Sequence, residues 1–178
     1  MTLQEQAENI ITDLGLLEKL APFGEVHLVG NVAFGTTTKP DIDIQIYTTQ
    51  HYEDAAVAIM STLKEMGLAN IIERRLKKSK KYLILGEISK EDTIWPIDIT
   101  LTQPSKSYLK DSYHFYEDWA PKMTPEKLAA IRGFKEEFAD QKIAGDNSAF
   151  YIYLGVLDQG IMHSPDMKHY LTEKKGKK

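Results

Sequence analysis

Asp41 and Asp43 stand two residues apart at the head of an alternating run, Asp41-Ile42-Asp43-Ile44-Gln45-Ile46-Tyr47. Strand side chains alternate between faces, so the two carboxylates share one face while Ile42 and Ile44 turn to the other, toward a core. Carboxylates held side by side repel unless something positive sits between them. A hard divalent cation such as Mg²⁺, or Mn²⁺, takes oxygen ligands, and Mg²⁺ is commonly held by one or two carboxylates plus substrate phosphates. Upstream, the apolar run Val26 to Val29 ends at Gly30, and Gly35 follows before the small polar loop Thr36 to Thr38. Glycines let backbone approach a ligand closely, and the N–H groups of such turns cradle phosphate. These residue types point to metal-assisted chemistry on a phosphate.

The elements that must position them read as strand, glycine turn, short helix or loop, and strand, over Val26 to Tyr47. Gly30-Asn31, Gly35 and Asp41-Ile42-Asp43 together resemble the signature of the DNA-polymerase-β-like nucleotidyltransferase superfamily. The resemblance covers roughly Val26 to Thr102. It implies a third carboxylate on a nearby strand, and Asp98 stands at the centre of the alternating run Trp95 to Leu101, where a solvated carboxylate would be out of place. Between Asp43 and Asp98 there is room for one helix and two strands. One departure is Asn31, where the family most often has a phosphate-contacting serine.

The resemblance implies an α/β (α+β) fold with a mixed β-sheet of about five strands covered by helices. It also implies transfer of a nucleoside monophosphate from a nucleoside triphosphate, ATP among the candidates, to an acceptor hydroxyl, with release of pyrophosphate. By the same resemblance Asp41 and Asp43 would hold the metals. Asp98 would bind the catalytic metal and help deprotonate the acceptor, and Gly30, Asn31 and the Gly35-Thr36 turn would hold the β- and γ-phosphates. Two other readings stay open: a non-catalytic nucleotide-binding or regulatory member of the fold, and a different metal-dependent phosphate reaction at the same carboxylates.

The whole chain bounds these readings. It has 178 residues, 42% apolar and 27% charged, which is ordinary globular composition with enough apolar material for a core. It contains no cysteine, which excludes disulfides and thiolate metal sites and fits a cytoplasmic protein. No stretch reaches the roughly 20 apolar residues of a membrane span, and the acidic, amphipathic start lacks the pattern of a signal peptide. The net charge of −4 disfavours a broad nucleic-acid footprint, so a small molecule or a protein is the expected acceptor ahead of RNA.

Taken in order, Gln4 to Leu20 reads as one amphipathic helix, with Thr2 and Glu5 as a capping box and Pro22 and Gly24 ending it. Val26–Val29 and Asp43–Thr48 read as strands, Tyr52–Met66 as a helix closed by Gly67, then Asn70–Leu76 and Tyr82–Ile88 as strands. Ser89–Thr93 reads as a polar turn before a last strand, Ile94–Leu101. His27 in the first strand is either packed or a phosphate contact. Arg74 to Lys81 is the most basic part of the chain, a solvated hairpin tip or a cationic loop reaching an anionic substrate.

After Pro104 helical patterns take over. The expected organisation is a catalytic domain over residues 1–104, a C-terminal helical extension over 105–172 and a charged tail over 173–178. Lys106 to Trp119 is rich in aromatics, which either attach the helices to the sheet or stack on a base. Thr124 and Pro125 start a helix to about Gln141; Gly145 breaks it, and Asp146 caps another to about Gln159. His163 to Asp166 turns into a short helix ending near Leu171. Phe134 to Phe138 faintly resembles the helical ends of GrpB-like members of the superfamily.

Overall fold

Alternation in three strands builds the core. Ile42, Ile44 and Ile46, then Trp95, Ile97, Ile99 and Leu101, with Tyr82 and Ile84, all point to one face of a sheet and are buried. The structure is a computed structural model that describes residues 1–76, 81–103, 117–139, 141, 143–144 and 148–175. The chain divides into two units, Met1–Glu117 and Asp118–Lys178.

In the first unit the elements run α1 (Leu3–Leu14), α2 (Leu16–Leu20), β1 (Glu25–Val29), α3 (Gly30–Ala33), β2 (Ile42–Tyr47), α4 (Tyr52–Glu65), β3 (Ala69–Leu76), β4 (Lys81–Lys90) and β5 (Thr93–Thr102). The sheet order is β1-β2-β5-β4-β3. Only β2 and β5 pair in parallel; the other three pairings are antiparallel, so the sheet is mixed. A parallel pair needs a long crossover, which α4, β3 and β4 supply. Ala7, Ile10 and Ile11 of α1, Leu16 and Leu20 of α2, and Ala55, Ala56, Ile59 and Leu63 of α4 join the strand residues in one buried cluster. The helices therefore cover one face of the sheet and hold the strands from behind.

The capping box at Thr2 and Glu5 forms as the sequence suggests. The helix expected over Gln4 to Leu20 is two helices. Gly15, in the left-handed region at φ 58°, turns its N–H onto the carbonyls of Ile11 and Thr12 and breaks the rod between Leu14 and Leu16. The polar turn expected over Ser89–Thr93 is shorter too. The ladder continues through Ser89 with Ile94 and Lys90 with Thr93, leaving Glu91 and Asp92 as a two-residue turn. Both have positive φ, 48° and 62°, as a tight hairpin turn that follows strand twist requires. Gly67 follows α4 at φ 88°, in its expected closing role.

The second unit contains α5 (Pro125–Phe134), capped by the Thr124 side chain, then α6 (Ser148–Leu157) and α7 (Ser164–Lys174). The helix expected to run on to about Gln141 instead widens into a π-helical turn over Lys135–Ala139. Ile131, Phe134, Phe138, Ile152, Val156, Met167 and Leu171 are buried there. Trp119 stacks on Tyr153 at 5.6 Å and its indole N–H donates to Asp158 Oδ2 at 3.4 Å, so this aromatic packs within the helical unit. Residues 104–116, Lys77 to Lys80, Gly145 and Asp146 lie outside the described residues, and with them Tyr108, Tyr113, Phe115 and Tyr116 of the aromatic stretch, the hairpin tip and the Asp146 cap. Among the described residues no helix is long and apolar enough to cross a membrane.

Candidate functional site

The parallel register of β2 and β5 sets Asp43 directly opposite Asp98. Register partners share a face, so both carboxylates stand on the sheet face away from α1, α2 and α4. Asp41 precedes β2 by one residue and joins them. One carboxylate oxygen from each of Asp41, Asp43 and Asp98 lies within 4.8 Å of the others, and all three residues are half-buried. Lys39 Nζ stands 4.0 Å from Asp41 Oδ2.

Asp98 carries the electrostatic mark of this crowding. Burial pushes its pKa up, and the Asp41 carboxylate pushes it further; Arg74 and Lys39 pull the other way. A half-buried, oxygen-only donor set of three carboxylates fits a hard divalent ion such as Mg²⁺ or Mn²⁺ and does not suit a soft metal.

The turn after β1 closes on the same carboxylates. Gly30 has φ 67°, and the Asp43 carboxylate occupies the space that a Cβ on Gly30 would fill. Glycine is thus required twice over, by backbone region and by volume. α3 begins here, so Gly30 meets Asp43 at a helix start, where the first-turn N–H groups have no partner within the helix. Gly35 also has φ 67°, but the space around its missing Cβ is open.

Thr36 is turned inward. It is fully buried, and both its N–H, at 2.9 Å, and its hydroxyl, at 3.4 Å, donate to the Asn31 carbonyl. It braces the turn from behind. The structure therefore brings Gly30 against Asp43 and uses Thr36 to support the turn through the Asn31 carbonyl. His27 pairs with Gln45, its Nε2 lies 3.0 Å from Glu25, and its ring meets Tyr47 edge-on at 5.5 Å, a packed histidine.

Two features escape the sequence pattern. Gln4 of α1 donates through Nε2 to the Val32 carbonyl at 2.9 Å and accepts from the Thr37 hydroxyl at 2.6 Å, tying α1 to both ends of the glycine turn. These partners are remote in sequence, so no local signal marks Gln4. Second, a cavity of about 460 Å³ opens beside Asp98 over β3, β4 and β5, lined by Asn70, Ile72, Arg74, Leu85 and Glu87 among others.

No family model matches the chain, and no curated protein matches it. Solved structures do. A cytoplasmic RNA terminal U-transferase matches with a TM-score of 0.58 at 15% identity, over 92% of this chain and 50% of that one. The Cid1 poly(U) polymerase with MgGTP bound matches at 0.59 and 13% identity, over 92% and 52%. The non-canonical poly(A) polymerase complex GLD-2–GLD-3 matches at 0.52 and 14% identity, over 86% and 55%. The chain spans about half the length of these proteins. At such identities the likeness is one of fold: a mixed five-stranded sheet with helices, shared with nucleotidyltransferases.

Proposed function

We propose that the chain is a metal-dependent nucleotidyltransferase that moves a nucleoside monophosphate from a nucleoside triphosphate to an acceptor hydroxyl. The observation that carries this reading is the meeting of Asp41, Asp43 and Asp98 beside the Gly30 turn, on a fold shared with such enzymes. Asp41, Asp43 and Asp98 would hold one or two Mg²⁺ or Mn²⁺ ions. When bound, such ions neutralise charge on the triphosphate and on the entering and leaving oxygens.

The remaining steps belong to the chain. The backbone N–H groups of Gly30 and Asn31 would hold the β- and γ-phosphates, with the Asn31 amide in the place of a serine hydroxyl and Gly35 and Thr36 shaping the turn. Asp98 takes the proton of the acceptor hydroxyl, from its place opposite Asp43 in the strand register. The acceptor oxygen then bonds to the α-phosphorus. The bond from that phosphorus to the β-phosphate bridging oxygen breaks, and pyrophosphate leaves with the electron pair.

A second reading, an RNA 3′ end as acceptor, is favoured by one observation: the matching structures include RNA terminal transferases and poly(U) and poly(A) polymerases. The test is pyrophosphate release from each of the four ribonucleoside triphosphates with Mg²⁺ or Mn²⁺ and a pool of hydroxyl acceptors, oligoribonucleotides included. Wild type should release pyrophosphate and Asp43→Asn should lose at least a hundredfold. Nucleotide that binds with metal but is never turned over by wild type would favour the non-catalytic reading.

A further inference from the structure

The cavity beside Asp98 has a charge order and a spacing, and both come from strand register. Three successive rows of side chains cross the open face there. Glu87 is opposite Pro96 in the first, Leu85 is opposite Asp98 and Ile72 in the second, and Arg74 is opposite Leu83 in the third. Each row is two residues from the next, about 6.6 Å at strand rise. The face therefore reads carboxylate, apolar floor with Asp98 at its side, then guanidinium.

Its first row is a built feature. The β3–β4 register shifts between Ala69 and Ile72, and Asn70 takes a positive φ of 51° in that irregularity. Its amide donates to Glu87 Oε2 at 2.6 Å, which fixes the carboxylate in place. Bulges of this kind re-aim side chains next to functional sites. In the second row Ile72 is 45% exposed, an apolar side chain presented to solvent on the cavity floor. In the third, Arg74 is exposed and close enough to Asp98 to oppose the rise of its pKa.

The sheet order settles which side of the carboxylates this cavity lies on. The Gly30 turn follows β1, at one end of the order β1-β2-β5-β4-β3, and the cavity covers β5, β4 and β3, at the other. In-line displacement puts the attacking oxygen and the leaving pyrophosphate on opposite sides of the α-phosphorus. With phosphates held on the Gly30 side, the acceptor enters from the cavity side, and Asp98 stands between them.

We infer that the acceptor is the hydroxyl of a Ser, Thr or Tyr in an extended protein segment, with a basic residue two positions to one side and an acidic residue two positions to the other. This rests on the reading of Asp41, Asp43 and Asp98 as a nucleotidyl-transfer site. An extended peptide presents residues i−2, i and i+2 to one face at the same spacing as the rows of the sheet. Its basic side chain meets Glu87, its acidic side chain meets Arg74, and its central hydroxyl meets Asp98. Among the described residues that line it, the floor of Ile72, Leu85 and Pro96 has no aromatic ring on which a base could stack, and Glu87 repels a phosphate backbone, so an RNA chain fits it less well.

The experiment uses the full chain, Mg²⁺ and α-labelled triphosphates. The probes are two peptides, Ala-Lys-Ala-Ser-Ala-Glu-Ala and Ala-Glu-Ala-Ser-Ala-Lys-Ala, a control with Ala at both charged positions, and an oligoribonucleotide. Triphosphate binding is first measured without acceptor. Wild type should label one charged peptide in preference to the other and to the control. Arg74→Gln should raise the KM for that peptide at least tenfold while leaving triphosphate binding within twofold. The double variant Arg74→Glu with Glu87→Lys should reverse the preferred order. Labelling of RNA alone, labelling of no peptide, or an unchanged peptide KM in Arg74→Gln overturns the inference while leaving nucleotidyl transfer standing. Failure of wild type to bind any triphosphate with Mg²⁺ overturns nucleotidyl transfer and this inference with it.

Discussion

The carboxylate of Asp43 fills the space that a side chain on Gly30 would need. The two residues are in different elements, at the start of α3 and within β2, and each sets the other's limits. Gly30→Ala must both hold a left-handed backbone and displace Asp43. The first cost alone is about 1–2 kcal/mol. Gly35→Ala, at the same φ but with open space around it, carries the backbone cost only. Thermal melts should show the larger drop for Gly30→Ala, at roughly 2–4 °C per kcal/mol for a chain of this size. Equal drops would mean that Asp43 yields freely.

Divalent metal should raise the melting temperature. A ligand that binds only the folded chain stabilises it by about 2.7 kcal/mol at a hundred times its Kd. Millimolar Mg²⁺ or Mn²⁺ should therefore shift the wild-type melt upward, and Asp43→Asn should lose most of that shift. A wild-type melt unmoved by either ion would count against Asp41, Asp43 and Asp98 as a metal site.

The pH dependence of the metal-free protein follows from Asp98. Its folded pKa is raised above the ordinary 3.8 by burial and by Asp41. Below the ordinary value the carboxyl is protonated in both folded and unfolded chains and carries no cost. As pH rises from there through the folded pKa, the native state holds its proton longer, so stability falls, and above the folded pKa the loss is complete. Asp98→Asn removes this pH dependence. Denaturant titrations should show the variant gaining on wild type as pH rises through that window, without metal. A constant difference across the window would show that Asp98 titrates alike in both states.

Asn31 should matter to triphosphate affinity through its side chain. A hydrogen bond to a charged phosphate is worth about 1.5–3 kcal/mol, so Asn31→Leu should weaken binding roughly tenfold or more. Asn31→Ser should keep or improve it. Equal affinities for all three proteins in equilibrium titrations would leave Asn31 as a turn residue and nothing more.

Much of the first unit could be read from alternation. The period-two runs Ile42-Ile44-Ile46 and Ile97-Ile99-Leu101 mark two buried strands, and a carboxylate at Asp98 inside such a run stands out because its neighbours are so apolar. What alternation cannot show is pairing. That Asp43 lies opposite Asp98 depends on β2 and β5 being parallel neighbours, a consequence of how α4, β3 and β4 pack between them in sequence. The break at Gly15 was hidden because apolar spacing persists across it. The inward turn of Thr36 was hidden because a threonine beside a glycine serves a ligand or its own turn equally well. The succession of Glu87, Asp98 and Arg74 over three rows was hidden because its members come from three strands.

The lone parallel pairing in the sheet has a kinetic consequence. β4 and β5 are joined by a two-residue turn and can zip locally, on the microsecond scale of hairpins. β2 and β5 are separated in the chain by α4, β3 and β4, and contacts of such sequence separation slow folding. The carboxylates of Asp43 and Asp98 come together only when this long-range pairing closes. In a refolding chain the β4–β5 hairpin would form before Asp43 meets Asp98, and the delay between the two would time the moment at which β2 joins the sheet.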